Sequence, residues 1–171
     1  MICPSCGHDN IAGDDECVKC RADLTHLDEP AAQSDMERLI MRQRVDRIKP
    51  VPPCTVSPDT SVGQVVDLLS ANNIGAVLIC EDDKTVGIFS ERDLLFKIGV
   101  DYPKLRDQPI RDFMTVDPVT IESTDSIALA LNRMDVGDYR HIPITEEGSS
   151  HAVTGIISVR DILRHLVSNA N

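Results

Sequence analysis

From about Val51 onward the spacing of apolar residues changes in a fixed order, and that order then repeats. Thr55 and Val56 read as a short strand. After a turn offering Ser and Asp caps, Val62, Val65, Val66 and Leu69 fall at i, i+3, i+4 and i+7, one face of an amphipathic helix. "GAVLICEDDKTVGIF" (75 to 89) reads as two strands joined by a polar turn. A helix follows from Ser90, with Leu94, Leu95 and Ile98 on its apolar side. The series restarts with "TIESTDSIALALNRM" (120 to 134), which aligns with "TVSPDTSVGQVVDLL" (55 to 69) at an offset of 65. "RHIPITEEGSSHAVTGII" (140 to 157) supplies two more strands, with a turn three residues longer, and Ile162, Leu163 and Leu166 line a closing helix from Ser158.

Each copy is therefore strand, helix, strand, strand, helix, a mixed α/β (α+β) unit. A unit of roughly fifty to sixty residues buries its own sheet poorly, so the two copies are expected to pack into one body. The expected divisions are a metal-binding module at 1–24, a linker and helix at 25–49, the first copy at 50–105 and the second at 106–171.

The first division rests on Cys3, Cys6, Cys17 and Cys20, which form two C-x2-C pairs separated by ten residues. Two residues between thiolates let each pair grip one metal from a tight turn, and Gly7 supplies the freedom such a turn needs. Four thiolates leave no open coordination position, so the pattern points to structural zinc, with iron in a rubredoxin-like centre as the alternative. "CPSCGHDNIAGDDECVKCRADL" resembles a short zinc ribbon, with Arg21 standing where such ribbons often carry Gly. His8 is read as a surface residue. "LTHLDEPAAQS" (24 to 34) reads as a linker, and Ser34 with Glu37 as a capping box opening a helix to about Arg47. Met36, Leu39, Ile40, Val45 and Ile48 give that helix an apolar side, and Arg38, Arg42, Arg44 and Arg47 a basic one.

Charge narrows the functions open to the chain. Its 171 residues carry a formal net charge of -11, with two basic against seven acidic residues in 1–33, five against three in 34–50, and ten against eighteen in 51–171. A phosphate backbone or anionic membrane needs a basic face, so nucleic acid is disfavoured, although the ribbon with residues 38–49 is where a nucleic-acid reader would sit. Aromatics make up 3% and Trp is absent, leaving few rings for stacking bases. No apolar run reaches the ~20 residues of a bilayer span, and a Cys pair precedes any candidate signal peptide, so the chain reads as cytoplasmic. A P-loop, G-x-S-x-G or H-E-x-x-H would suggest catalysis, and none is present, so the chain reads as no enzyme. Of the remaining cysteines, Cys80 is read as a buried thiol.

The chemistry concentrates in one phrase written twice, "GIFSERDLL" (87 to 95) and "GIISVRDIL" (155 to 163), which places Ser90 and Asp93 opposite Ser158 and Asp161 at an offset of 68. Ser followed three places on by an acid is a helix cap, and one copy alone would mean no more. A carboxylate on a first helical turn can also accept from both hydroxyls of a ribose, and the helix N-terminus favours a phosphate. Because Asp repels phosphate, a cation should hold the outer oxygens. Arg140 and His141 in the second copy offer one, where the first copy has Gly75 and Ala76. Thr55 and Thr120 can donate a hydroxyl.

Together these motifs, with "IRDFMT" (110 to 115) and "RHIPI" (140 to 144), resemble a tandem pair of CBS domains, a Bateman module, over about residues 50 to 168. The resemblance implies a pseudo-twofold body whose clefts take an adenosine-containing molecule such as AMP, ADP, ATP, NAD or S-adenosylmethionine, in a regulatory and not a catalytic role. It assigns Asp93 and Asp161 to ribose, Ser90 and Ser158 to the neighbourhood of phosphate, and Arg140 and His141 to cationic contact. Arg92, Arg160 and Pro143 are further contacts, and Val56 and Ile121 offer backbone groups and an apolar wall to adenine. It also implies a homodimer formed through helices, which the apolar side of helix 35–47 could join, and a regulated protein partner whose identity is open. The rival readings are a zinc-ribbon nucleic-acid regulator and an assembly module with empty clefts.

Overall fold

Each copy's two helical segments open on a serine. Ser61 accepts from the Gln64 N–H in a full capping box, Ser126 accepts from the Leu129 N–H, and Ser90 and Ser158 accept from the N–H groups of Asp93 and Asp161. The computed structural model describes residues 1–11, 13–25, 34–82, 84–148 and 153–169, in two compact units, Met1–Asp35 and Met36–Asn171. The linker between 26 and 33 and the longer turn of the second copy at 149–152 lie outside the described residues.

In the larger unit α1 (Asp35–Arg42) precedes the first copy, which contains β1 (Thr55–Val56), α2 (Val62–Asn72), β2 (Ala76–Glu81), β3 (Lys84–Ser90) and the short α3 (Glu91–Asp93). A wide π turn at Leu94–Ile98 and α4 (Tyr102–Leu105) continue it. β4 (Thr115–Val116) leads into the second copy, β5 (Ile121–Glu122), α5 (Ile127–Val136), β6 (His141–Thr145), β7 (Val153–Ser158) and α6 (Val159–Asn169). The strands form two sheets, ordered β1-β2-β3-β4 and β5-β6-β7. Their hairpins match residue for residue: Ala76 faces Ser90 as His141 faces Ser158, and both slip register after the fourth pair, at Ile79/Cys80 and Ile144/Thr145.

The repeat reaches further upstream than its hydrophobic pattern suggests. Residues 43–48 pair with the second copy: Val45 N–H donates to Asp125 C=O (2.8 Å), Asp46 N–H to Ser123 C=O (3.0 Å), and Ile127 N–H to Gln43 C=O (2.9 Å). Residues 108–113 make the same set with the first copy: Ile110 to Thr60 (2.8 Å), Arg111 to Pro58 (3.1 Å), and Val62 to Gln108 (2.9 Å). Each arm thus completes the copy other than the one it leads into. This pairing also ends the first helix early. α1 stops at Arg42, Arg44 bridges Ser126, and Val45–Ile48 form a 3-10 turn, so the expected helix to Arg47 is two elements.

The arms feed two cores. Val62, Val65, Leu69, Val77, Ile79, Phe89, Ile98 and Ile110 fill the first copy. Ile121, Ile127, Ile142, Ile144, Ile157 and Ile162 fill the second together with Val45, against which Met36, Leu39, Ile40 and Ile48 pack. The apolar side of α1 is therefore spent inside the chain. Ala76, Leu78 and Ile156 join the two copies. Leu95 and Leu163, expected on apolar faces, are exposed, and Cys80 is half-buried beside Thr85. No described helix is long and apolar enough to cross a membrane.

The smaller unit carries its own repeat at an offset of 14. Cys3 N–H donates to His8 C=O (2.8 Å) and Gly7 N–H to Cys3 C=O (2.9 Å), as Cys17 N–H donates to Ala22 C=O (2.9 Å) and Arg21 N–H to Cys17 C=O (2.9 Å). Gly7 and Arg21 both sit in the left-handed region, at φ 69° and 60°, so Arg21 adopts the turn that Gly would take more readily. Asn10 is buried between the halves, donating to Met1 and His8 carbonyls and accepting from the Val18 N–H.

The arms lie hard against the glycines of the doubled phrase. A Cβ at Gly155 would come within 2.7 Å of Pro50 Cβ, part of a rigid ring. Gly155→Ala is therefore expected to destabilise the larger unit by about 1–3 kcal/mol through overpacking. Urea unfolding of the two proteins measures this, and an unchanged midpoint would contradict close contact at this crossing.

Candidate ligand clefts and metal centre

Each Ser-x-x-Asp phrase folds as a cap that uses only half of its carboxylate. Asp93 Oδ2 accepts from the Ser90 N–H (2.9 Å) and hydroxyl (2.6 Å), and Asp161 Oδ2 accepts from Ser158 at the same two distances. The cap and the expected ribose contact are thus compatible, because these cap bonds all go to Oδ2 of each carboxylate. Asp93 Oδ1 lies 2.8 Å from Lys97 Nζ and accepts from the Thr115 hydroxyl (3.3 Å), whereas among the described residues Asp161 Oδ1 meets only an exposed Arg164 guanidinium at 3.4 Å.

Two cavities open beside these carboxylates. The larger, about 690 Å³, is lined by Ser90, Arg92, Asp93 and Lys97 of the first copy, by Thr115, Pro118 and Val119 after β4, and by Tyr139, Arg140, His141 and Pro143 of the second. The smaller, about 430 Å³, is lined by the arm 47–51 and by Ile156, Ile157, Asp161, Arg164 and His165. Arg140 and His141 therefore stand in the cavity of the opposite copy's Asp. His141 also explains Gly75, since a Cβ there would meet His141 Nε2 at 2.5 Å. Burial lowers the pKa of His141 against the opposing pull of Glu91 and Asp161, which favours the neutral ring.

Arg92 and Pro143 lie in the larger cavity, and Arg92 pairs with Asp138 of the second copy while its guanidinium sits 5.1 Å from the Phe96 ring centre. Arg160 is exposed on α6. Thr55, Val56, Thr120, Ile121, Ser158 and Arg160 line neither cavity. Val56 packs against the first core and Ile121 is buried in the second, while the apolar walls come from residues a few positions earlier, Pro50 and Val51 at the smaller cavity and Pro118 and Val119 at the larger. The missed contributors, residues 47–51, carried a signal: "QRVDRIKPV" (43 to 51) aligns with "QPIRDFMTV" (108 to 116) at the same offset of 65.

In the smaller unit the four sulfurs of Cys3, Cys6, Cys17 and Cys20 lie within 4.8 Å of one another, with Cys3–Cys20 and Cys6–Cys17 at 3.6 Å. Zn–S bonds of ~2.3 Å in a tetrahedron put sulfurs about 3.8 Å apart, so the donor set fits such an ion, and all six cysteines are free thiols. Burial would push Cys17 up, but N–H groups of Cys20 and Lys19 and the neighbouring thiols bring it down to about 6. Cys20 accepts from the Ala22 N–H, yet the sulfur of Cys6, burial and the other two sulfurs push it up to about 12. Thiolates so crowded repel one another, and a divalent cation removes that penalty.

The model of the CBS domain family matches residues 40–99 and 110–168, so each match includes part or all of an arm. A CBS-domain containing protein from Agrobacterium tumefaciens superposes with a TM-score of 0.65 at 30% identity, over 71% of this chain and 98% of that one. A CBS domain protein from Pyrobaculum aerophilum, complexed with AMP, shares the fold at a TM-score of 0.61 and 23% identity, over 74% of this chain and 99% of that one. An uncharacterized 17.7 kDa protein of Acidianus ambivalens is 26% identical over 128 residues, 74% of this chain and 75% of that protein. CBS domain-containing proteins of Arabidopsis thaliana match at 30% over 114 residues, 66% of this chain, and the chain spans 21% of their length.

The Asp93 environment makes a pH prediction. Burial would raise its pKa, but the hydrogen bond and charge of Lys97 and the Ser90 hydroxyl and N–H hold it below its ordinary value. A depressed carboxylate stabilises the fold above its unfolded pKa and loses that contribution as pH falls through the folded value, here below about pH 4. Because the pair is partly solvated, the expected loss is at most ~1 kcal/mol. The urea midpoint of the wild type should fall below pH 4 more steeply than that of Asp93→Asn, and parallel pH profiles would contradict the assignment.

Proposed function

The chain belongs to the CBS-domain family, and from that premise we propose that it is a non-enzymatic regulatory protein of the cytoplasm that binds an adenosine-containing ligand in its clefts. The observation that carries this reading is the doubled cap whose carboxylates each line a cavity, Asp93 the larger and Asp161 the smaller. Asp161 or Asp93 takes the ribose diol and the helix N-terminus with Ser158 or Ser90 faces the phosphate. Pro50 and Val51, or Pro118 and Val119, flank the base. A relative of the same fold is complexed with AMP, which agrees with this class of ligand.

Both cavities are lined from more than one part of the interlocked body, so a ligand that prefers one spacing of these parts shifts the whole toward it. A homodimer formed through the helices passes that shift to a regulated protein. The smaller unit holds one structural zinc on Cys3, Cys6, Cys17 and Cys20, and its exposed Ile2, Ile11 and Val18 offer that partner an apolar contact.

Thermal unfolding of the zinc-loaded protein with AMP, ADP, ATP, NAD and S-adenosylmethionine tests the reading. A ligand at 100 times its Kd should stabilise the native state by about 2.7 kcal/mol. Asp161→Ala should weaken its binding ~10–100-fold, as expected for a lost charged hydrogen-bond acceptor, with the far-UV spectrum kept. No stabilisation by any compound, or unchanged affinity in the variant, would refute the assignment. For the metal, one zinc per chain is expected, and a chelator should abolish the amide NMR dispersion of residues 1–25 while that of the larger unit persists.

A further inference from the structure

The two cavities share one backbone plan, yet their anchors are in different states. Lys97 Nζ sits 2.8 Å from Asp93 Oδ1, donates to Phe113 C=O at 2.9 Å, and donates to the Thr115 hydroxyl at 3.0 Å. These three acceptors come from α3 and from the arm that passes it, and they are the groups a ribose or an amino group would reach. Asp93 is only 15% exposed beneath the ammonium, against 35% for Asp161.

The matching lysine is missing from the second copy. The position equivalent to Lys97 is His165, which turns to Gln43 at 2.6 Å and, among the described residues, leaves Asp161 Oδ1 with one long contact, to Arg164. Charge separates the cavities further. The one at Asp161 is lined by Arg47, Lys49 and Arg164, with Asp161 as its acid, whereas Glu91, Asp93, Asp117 and Asp138 offset the cations of the other.

We propose that Lys97 is a built-in occupant of the Asp93 cavity, so that each chain takes one adenosine phosphate, at Asp161. This rests on the nucleotide reading above. Displacing an ammonium held by three acceptors makes the Asp93 cavity ~10–100-fold weaker, so it stays empty at concentrations that fill the first.

Calorimetric titration of the zinc-loaded full chain with AMP tests it. At AMP concentrations that saturate the wild type at one per chain, Asp161→Ala should show no bound AMP. Lys97→Met should bind two, and Lys97→Met combined with Asp161→Ala should bind one again. Lys97→Gln, also neutral, serves as a second opening variant should the Met protein unfold. Two sites in the wild type, one site in both Lys97 variants, or a site that survives Asp161→Ala alone would each overturn the proposal while leaving nucleotide binding standing. Absence of AMP binding in the wild type and every variant would instead remove the nucleotide reading, and this inference with it.

Discussion

Crosswise pairing of the two arms is the constraint on which the rest of the larger unit depends. Residues 43–48 close the second copy and residues 108–113 close the first, through hydrogen bonds equivalent at an offset of 65. Without its arm, each copy would leave the loop and first turn of its first helix with unpaired backbone groups, and would lose Val45 or Ile110 from its core. The exchange gives each small unit a partner that is always present at high effective concentration. Two copies too small to bury a sheet alone thereby become one body.

The clefts are a by-product of the same exchange. Where the arms leave the loops they run past the doubled phrases, so Pro50 and Val51 lie against Gly155 and Ile156 while Thr115 and Val116 pair with β3. A cavity must then open between each arm and the helix that starts at the phrase. The glycine of the phrase serves the crossing, the serine serves the cap, and the aspartate serves both the cap and the cavity. One nine-residue phrase can satisfy all three demands, which is a physical reason for writing it twice.

Much of this was legible as pattern. The caps, the strand order and the offsets of 65 and 68 all follow from local spacing, and the paired hairpins agree with them to the residue. What spacing concealed was non-local. An arginine-rich amphipathic run reads as one helix to Arg47 until Ser126 is placed beside Arg44. Val56 and Ile121 read as cleft walls only while the copies are taken to start near residue 50; the walls instead come from Pro50 and Val51, at the end of an arm, and from Pro118 and Val119, after β4. Leu95 follows helical spacing but lies on a π turn, where the extra residue rotates it out to solvent. Arg21 occupies a left-handed turn that favours glycine, and only the matched hydrogen bonds of Cys3 and Cys17 show that the backbone requires it.

Symmetry of the backbone makes the departures from symmetry informative. A counterpart of Arg140 could not stand at position 75, because His141 already fills the space that a Cβ there would take. The glycine opposite Arg140 therefore follows from steric exclusion between the copies as much as from any ligand. Lys97 and His165 are different in kind. Lys97 holds Asp93, whereas His165 turns to Gln43. A cation there neutralises the carboxylate that a ligand would need, in one copy and not the other, so this difference bears on what each cavity can accept more directly than the conspicuous basic pair does.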